Sequence, residues 1–130
     1  MAASVERRDR LRLFCALSLP GDAVRDLVAW QSRELKAARD VRIVPPENLH
    51  VTLVFLGGRP TRDVEAILGV LRDAAIHGPP PVLTPVRYRE TRSVGMVVFA
   101  DEDGRATQIA QRVATGLEGL GVYERERREW

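Results

Sequence analysis

His50 and Thr52 stand two residues apart in the run Leu49-His50-Val51-Thr52-Leu53-Val54-Phe55-Leu56. In an extended chain such residues leave the same face, so an imidazole and a hydroxyl would sit side by side on a rigid element. That pair could offer one proton-transfer group and one hydrogen-bond donor to a phosphoryl oxygen. Leu49, Val51, Leu53 and Phe55 would take the opposite face and anchor the strand in the core. His-x-Thr alone is a short pattern, and a strand-borne histidine also serves purely structural ends. On the residues alone, both readings stand.

The remaining reactive side chains read as structural. His77, in Ile76-His77-Gly78-Pro79, falls at the C-terminus of an expected helix, where an imidazole suits last-turn carbonyls and the helix dipole. Cys15 is the only cysteine, which excludes an internal disulfide and a four-cysteine zinc site; mid-strand, it reads as a buried, inert thiol. Two separated histidines and one distant cysteine show no metal-ligand spacing. Gly57-Gly58 follows a strand, but no GxGxxG or Walker pattern continues from it, so it reads as a turn. Trp30, Tyr88, Tyr123 and Trp130 could stack on a base; scattered as they are, they read as packing residues.

The elements that must position these groups follow from periodicity. Arg10 to Leu19 alternates as a strand, with Leu11, Leu13, Cys15, Leu17 and Leu19 opposed to Arg12, Phe14, Ala16 and Ser18. After Pro20-Gly21, Asp22 is expected to cap a helix reaching about Arg39, with Val24, Leu27, Val28 and Leu35 on one stripe. Arg42 to Val44 reads as a short strand stopped by Pro45-Pro46. Leu49 to Leu56 is the strongest strand, closed by Gly57-Gly58. Thr61 is expected to cap a second helix carrying Val64, Ile67, Leu68, Leu71 and Ala75, ended by Gly78-Pro79-Pro80-Pro81. Val82 to Arg89 and Val94 to Ala100 suit an antiparallel pair, because their connection is short. A third helix bears Ile109, Val113, Leu117 and Leu120 and ends at Gly121.

At 130 residues and 14.5 kDa the chain suits one domain with a modest core, and 45% apolar content argues against disorder. No apolar run approaches the roughly 20 residues of a membrane-spanning helix, and the N-terminal region lacks a small-residue cleavage site. A cytoplasmic protein with no membrane partner is the expectation. The net charge is only +2, but Lys36 is the sole lysine among 20 basic residues. Arginine's planar fork suits phosphate oxygens, so the composition permits an anionic substrate without demonstrating one.

Pro45-Pro46-Glu47-Asn48-Leu49-His50-Val51-Thr52-Leu53-Val54-Phe55-Leu56-Gly57 closely resembles the first signature of the 2H phosphoesterases. The resemblance is to their bacterial RNA 2',3'-cyclic phosphodiesterase branch, also called 2'-5' RNA ligase. Arg12-Leu13-Phe14-Cys15-Ala16-Leu17 with Pro20 resembles that family's first strand. Gly95-Met96-Val97-Val98-Phe99 and the later Leu117-Glu118-Gly119-Leu120-Gly121 extend the likeness from about Leu11 to Tyr123. The resemblance implies a bilobal α+β fold, with antiparallel sheets lining a cleft and helices packed outside. It also implies a reaction without metal or cofactor, in which a 2',3'-cyclic phosphate end of RNA or an oligonucleotide opens to a 2'-phosphate. His50 would be the proton donor to the departing 3' oxygen, and Thr52 a contact to a non-bridging phosphate oxygen.

The family places a second HxT, the water-activating base, beyond the third helix. Here Glu124-Arg125-Glu126-Arg127-Arg128-Glu129-Trp130 follows, and no second HxT occurs. The expectation is a single domain over residues 1–130, incomplete at its C-terminus and with reduced or absent turnover. The alternative from another class is a non-catalytic nucleotide or RNA-end binding domain. A structural or interaction domain whose His50 is merely strand-borne is the third reading.

Overall fold

Ala106, Ile109, Ala110, Val113, Ala114 and Leu117 recur at helical spacing, and all six are buried. The helix they define is the hub of the molecule. The computed structural model describes residues 9–126 and 130. Along the chain run β1 (Arg10–Ser18), α1 (Gly21–Glu34), a 3-10 turn (Pro46–Asn48), β2 (His50–Pro60) and a second 3-10 turn (Thr61–Asp63). Then come α2 (Val64–Ile76), β3 (Leu83–Glu90), β4 (Gly95–Asp101) and α3 (Arg105–Gly119). The fold is α+β, and the described residues form two antiparallel two-stranded sheets, β1–β2 and β3–β4.

The core joins the inner face of β1–β2 (Cys15, Leu53, Val54) to Ile67 and Ala74 of α2 and to the buried stripe of α3. Gly116 lets α2 and α3 approach closely: a Cβ there would lie 2.6 Å from Val70 Cγ1. Two polar side chains tie α3 to its neighbours. Asp101, at the end of β4, accepts hydrogen bonds from the Ala106 N–H (3.2 Å), the Thr107 N–H (2.8 Å) and the Thr107 hydroxyl (2.7 Å). Desolvation pushes the Asp101 carboxyl up, but these hydrogen bonds outweigh it and hold it below its ordinary value. Arg105, 5% exposed, donates to the carbonyls of Pro79 (2.7 Å) and Ala75 (3.4 Å) and to Gln108 Oε1 (2.9 Å). Its cation thus sits at the negative end of the α2 dipole.

Several sequence expectations need correction. The first helix stops at Glu34, not Arg39, and Asp22 lies inside it, with Pro20 at the N-cap. None of its residues is fully buried, so no packing holds a further turn in place. Arg42 to Val44 is not a strand: among the described residues it pairs with no other segment, and the Val44 carbonyl accepts from Gln31 at 3.3 Å instead. Gly57-Gly58 does not close β2, which pairs through both glycines to Pro60. Thr61 opens a 3-10 turn, and its backbone N–H and hydroxyl both donate to the Asp9 carbonyl at 2.6 Å, so it provides no side-chain cap to α2. At the other end of α2, His77 pairs with Asp73 at 3.6 Å, and Arg105 takes the Ala75 carbonyl. Leu68 and Leu120, read as core-facing, are more than 40% exposed. Among the described residues no helix is long and apolar enough to cross a membrane.

Candidate active site

The site begins with a proline-driven turn. Pro45-Pro46 fix their own φ angles, and the Asn48 and Leu49 N–H groups close on the carbonyls of Pro45 (2.9 Å) and Pro46 (3.2 Å). The turn delivers the Asn48 carbonyl to within 2.6 Å of His50 Nδ1. A carbonyl only accepts, so Nδ1 carries the hydrogen and Nε2, at the far edge of the ring, is the nitrogen free for proton transfer.

From His50 the chain enters β2 opposite Ser18, and Thr52 pairs with Ala16. His50 and Thr52 are both exposed, Val51 is half-buried, and Leu53 is 8% exposed. The shared face expected for the imidazole and hydroxyl is therefore present, with the apolar residues behind it.

Beyond Thr52 the alternation breaks, and one expectation fails. Cys15 pairs with Val54, so Leu53 is an extra residue in β2; Leu13 pairs with Gly57, so Leu56 is a second. Each inserted residue exchanges the faces of everything after it. After Leu53, Val54 turns inward at 4% exposed, and Phe55 turns out at 51%, opposite Phe14. Phe55 does not join Leu53 in the core.

The exposed face thus carries residues that the functional reading left out. Phe14 stacks on His50 with ring centroids 4.8 Å apart and planes at 30°, and on Phe55 at 5.9 Å and 13°. The Arg12 guanidinium lies 6.0 Å from the Phe55 ring centre. One available signal was an aromatic at Phe14 on an otherwise small and polar stripe of β1. Trp130 also reaches this region, its indole N–H donating to the Thr52 carbonyl at 2.8 Å. Trp30 and Tyr88 pack on each other, centroids 5.1 Å apart. Cys15 lies behind the site, where burial raises its thiol pKa, in keeping with an inert thiol.

Residues 17–87, more than half of the chain and including the whole His50–Thr52 segment, match the family model described as LigT like Phosphoesterase. The chain belongs to this family. An RNA 2',3'-cyclic phosphodiesterase of Archaeoglobus fulgidus is 45% identical over 47 residues, 36% of this chain and 26% of that relative. One of the same name from Thermus thermophilus is 38% identical over 60 residues, 46% of this chain and 30% of that protein. These matches thus span less than a third of the curated relatives' length.

The likeness in three dimensions is wider than that in sequence. Escherichia coli LigT complexed with 3'-AMP superposes with a TM-score of 0.76 at 22% identity, over 92% of this chain and 68% of that one. The Thermus thermophilus protein TT0787 gives 0.68 at 29% identity, over 85% and 61%. The α+β arrangement of this LigT-like chain is therefore that of the family.

Proposed function

We propose that the chain carries RNA 2',3'-cyclic phosphodiesterase chemistry, with His50 as proton donor and Thr52 as the phosphate contact. The observation that supports this reading is the His50 ring. Its Nδ1 is committed to the Asn48 carbonyl, which leaves Nε2 free on the exposed face beside Thr52, within a segment matched by the family model. In the reaction, water attacks phosphorus and the P–O3' bond breaks. Protonated Nε2 of His50 gives its proton to the departing 3' oxygen, and the water's proton passes to a base, leaving a 2'-phosphate. The Thr52 hydroxyl donates to a non-bridging oxygen as charge builds there. The substrate class is RNA or an oligonucleotide with a 2',3'-cyclic phosphate end, handled in the cytoplasm. The relatives' name and the 3'-AMP complex of LigT support a nucleotide ligand.

Turnover of adenosine 2',3'-cyclic monophosphate by the 130-residue chain, with adenosine 2'-monophosphate binding measured alongside, tests the reading. One positioned acid contributes about 10²–10⁴ in rate, so His50→Ala should lower turnover by that factor. Thr52→Ala should weaken both turnover and product binding. The chain holds one HxT, so its turnover is expected to be slow. Binding without any turnover favours the non-catalytic RNA-end binder, and neither binding nor turnover defeats both readings.

A further inference from the structure

Phe14 and Phe55 are large apolar side chains, yet they are 47% and 51% exposed on the face pointing away from the core. Apolar burial does not account for their placement. They stand in a column with the candidate acid: His50, then Phe14, then Phe55, the planes at 30° and 13°. The column depends on the inserted Leu53. With regular alternation Phe55 would face inward, and Phe14 would have only His50 beside it.

An exposed histidine ordinarily samples several side-chain rotamers, and its ring torsion is broad. The hydrogen bond from Nδ1 to Asn48 fixes one direction in the ring plane but leaves rotation about the N···O axis. A ring lying against the imidazole face blocks that rotation. The two constraints act at right angles, and together they leave Nε2 one direction. Phe14 can supply its part only if it is itself held, and Phe55 covers its other side.

We propose that Phe14 is a positioning residue for His50, its ring braced by Phe55 and closing one face of the imidazole so that Nε2 is presented in a single orientation. This rests on the reading of His50 as the acid, and the experiment separates the two. Its arms are Phe14→Leu, Phe14→Tyr, Phe55→Leu and His50→Ala in the full 130-residue chain. Each is followed by NMR of the histidine ring protons and by kcat and KM on adenosine 2',3'-cyclic monophosphate. The chain has only two histidines, and exposed His77 has no ring stacked on it among the described residues, so it is an internal reference.

In the wild type the His50 ring protons should be displaced from those of His77 by the ring current of Phe14. In Phe14→Leu that displacement should disappear and kcat should fall about 10- to 100-fold, with KM changed less than about twofold, as for a misaligned reacting group. Phe14→Tyr should restore both, and Phe55→Leu should give a smaller change of the same kind. The NMR arm decides even where turnover is slow: His50 signals unaffected by Phe14→Leu overturn the proposal. A large loss in His50→Ala with none in Phe14→Leu also overturns it, while leaving His50 as the acid. Unchanged turnover in His50→Ala defeats the assignment of the acid and, with it, this inference.

Discussion

The β1–β2 and β3–β4 strand pairs are both antiparallel, and both carry register shifts. On β1–β2, Cys15, Leu53 and Val54 are buried against α2 and α3. On β3–β4 no residue is fully buried, and Val86 is 61% exposed. The polar contact there, Tyr88 to Glu90 at 2.8 Å, lies at the surface; the hydrogen bond to Glu90 is the main reason the Tyr88 pKa is raised. A two-stranded ribbon is marginal unless something packs on it. Proton transfer needs its group held to within a fraction of an ångström, and the candidate chemistry occupies the strand pair with an anchored back.

Substitutions on the two sheets can sharpen or break that contrast. Leu53→Ala removes a buried side chain directly behind Thr52 and should cost about 2–5 kcal/mol of stability. Since that side chain packs beneath the strand that carries His50 and Thr52, turnover should fall with it. A urea titration beside a turnover assay checks both, and a loss below about 1 kcal/mol would mean the back of β1–β2 is not the anchor described.

Asp101→Ala should cost less, about 0.5–2 kcal/mol, the usual range for a lost helix cap. Because the folded-state carboxyl lies below its ordinary value near 3.8, its contribution is fully present above that value. It is lost as pH falls through the folded-state pKa. The stability gap between wild type and Asp101→Ala should therefore be widest near neutrality and narrow below about pH 4. A gap independent of pH would show that the charge is not what caps α3.

Val86→Ala and Tyr88→Phe on β3–β4 should each change stability by no more than about 0.5 kcal/mol. Thermal unfolding of the two variants measures this. A cost comparable to that of Leu53→Ala would place a second anchored region behind β3–β4 and erase the contrast.

The alternation of β1, the three helices and the pairing of the last two strands were legible because each follows from local periodicity. The common face of His50 and Thr52 was legible for the same reason. Phe55 was not. Its outward turn depends on Leu53 being skipped in the pairing with β1, and nothing local to Leu53-Val54-Phe55 announces a bulge. Gly57-Gly58 resembled a stop because glycine is usually depleted in strands; pairing with Leu13 and Arg12 carried β2 through it. Arg42 to Val44 had strand-like residues but no partner, and a strand without a partner is not a strand. The β1 alternation puts Phe14 on the correct face, yet its significance comes only from the rings beside it.

Cys15 offers a clock for the β1–β2 sheet. The thiol is the chain's only one, lies 3% exposed behind the candidate site and pairs with Val54 across the bulge. A reagent reaches it only when β1–β2 lifts from α3, and its raised pKa leaves little thiolate until water enters. The rate at which a thiol probe captures Cys15 then counts how often the floor beneath His50 opens. No engineered label is needed, since nature placed a single reporter at that seam.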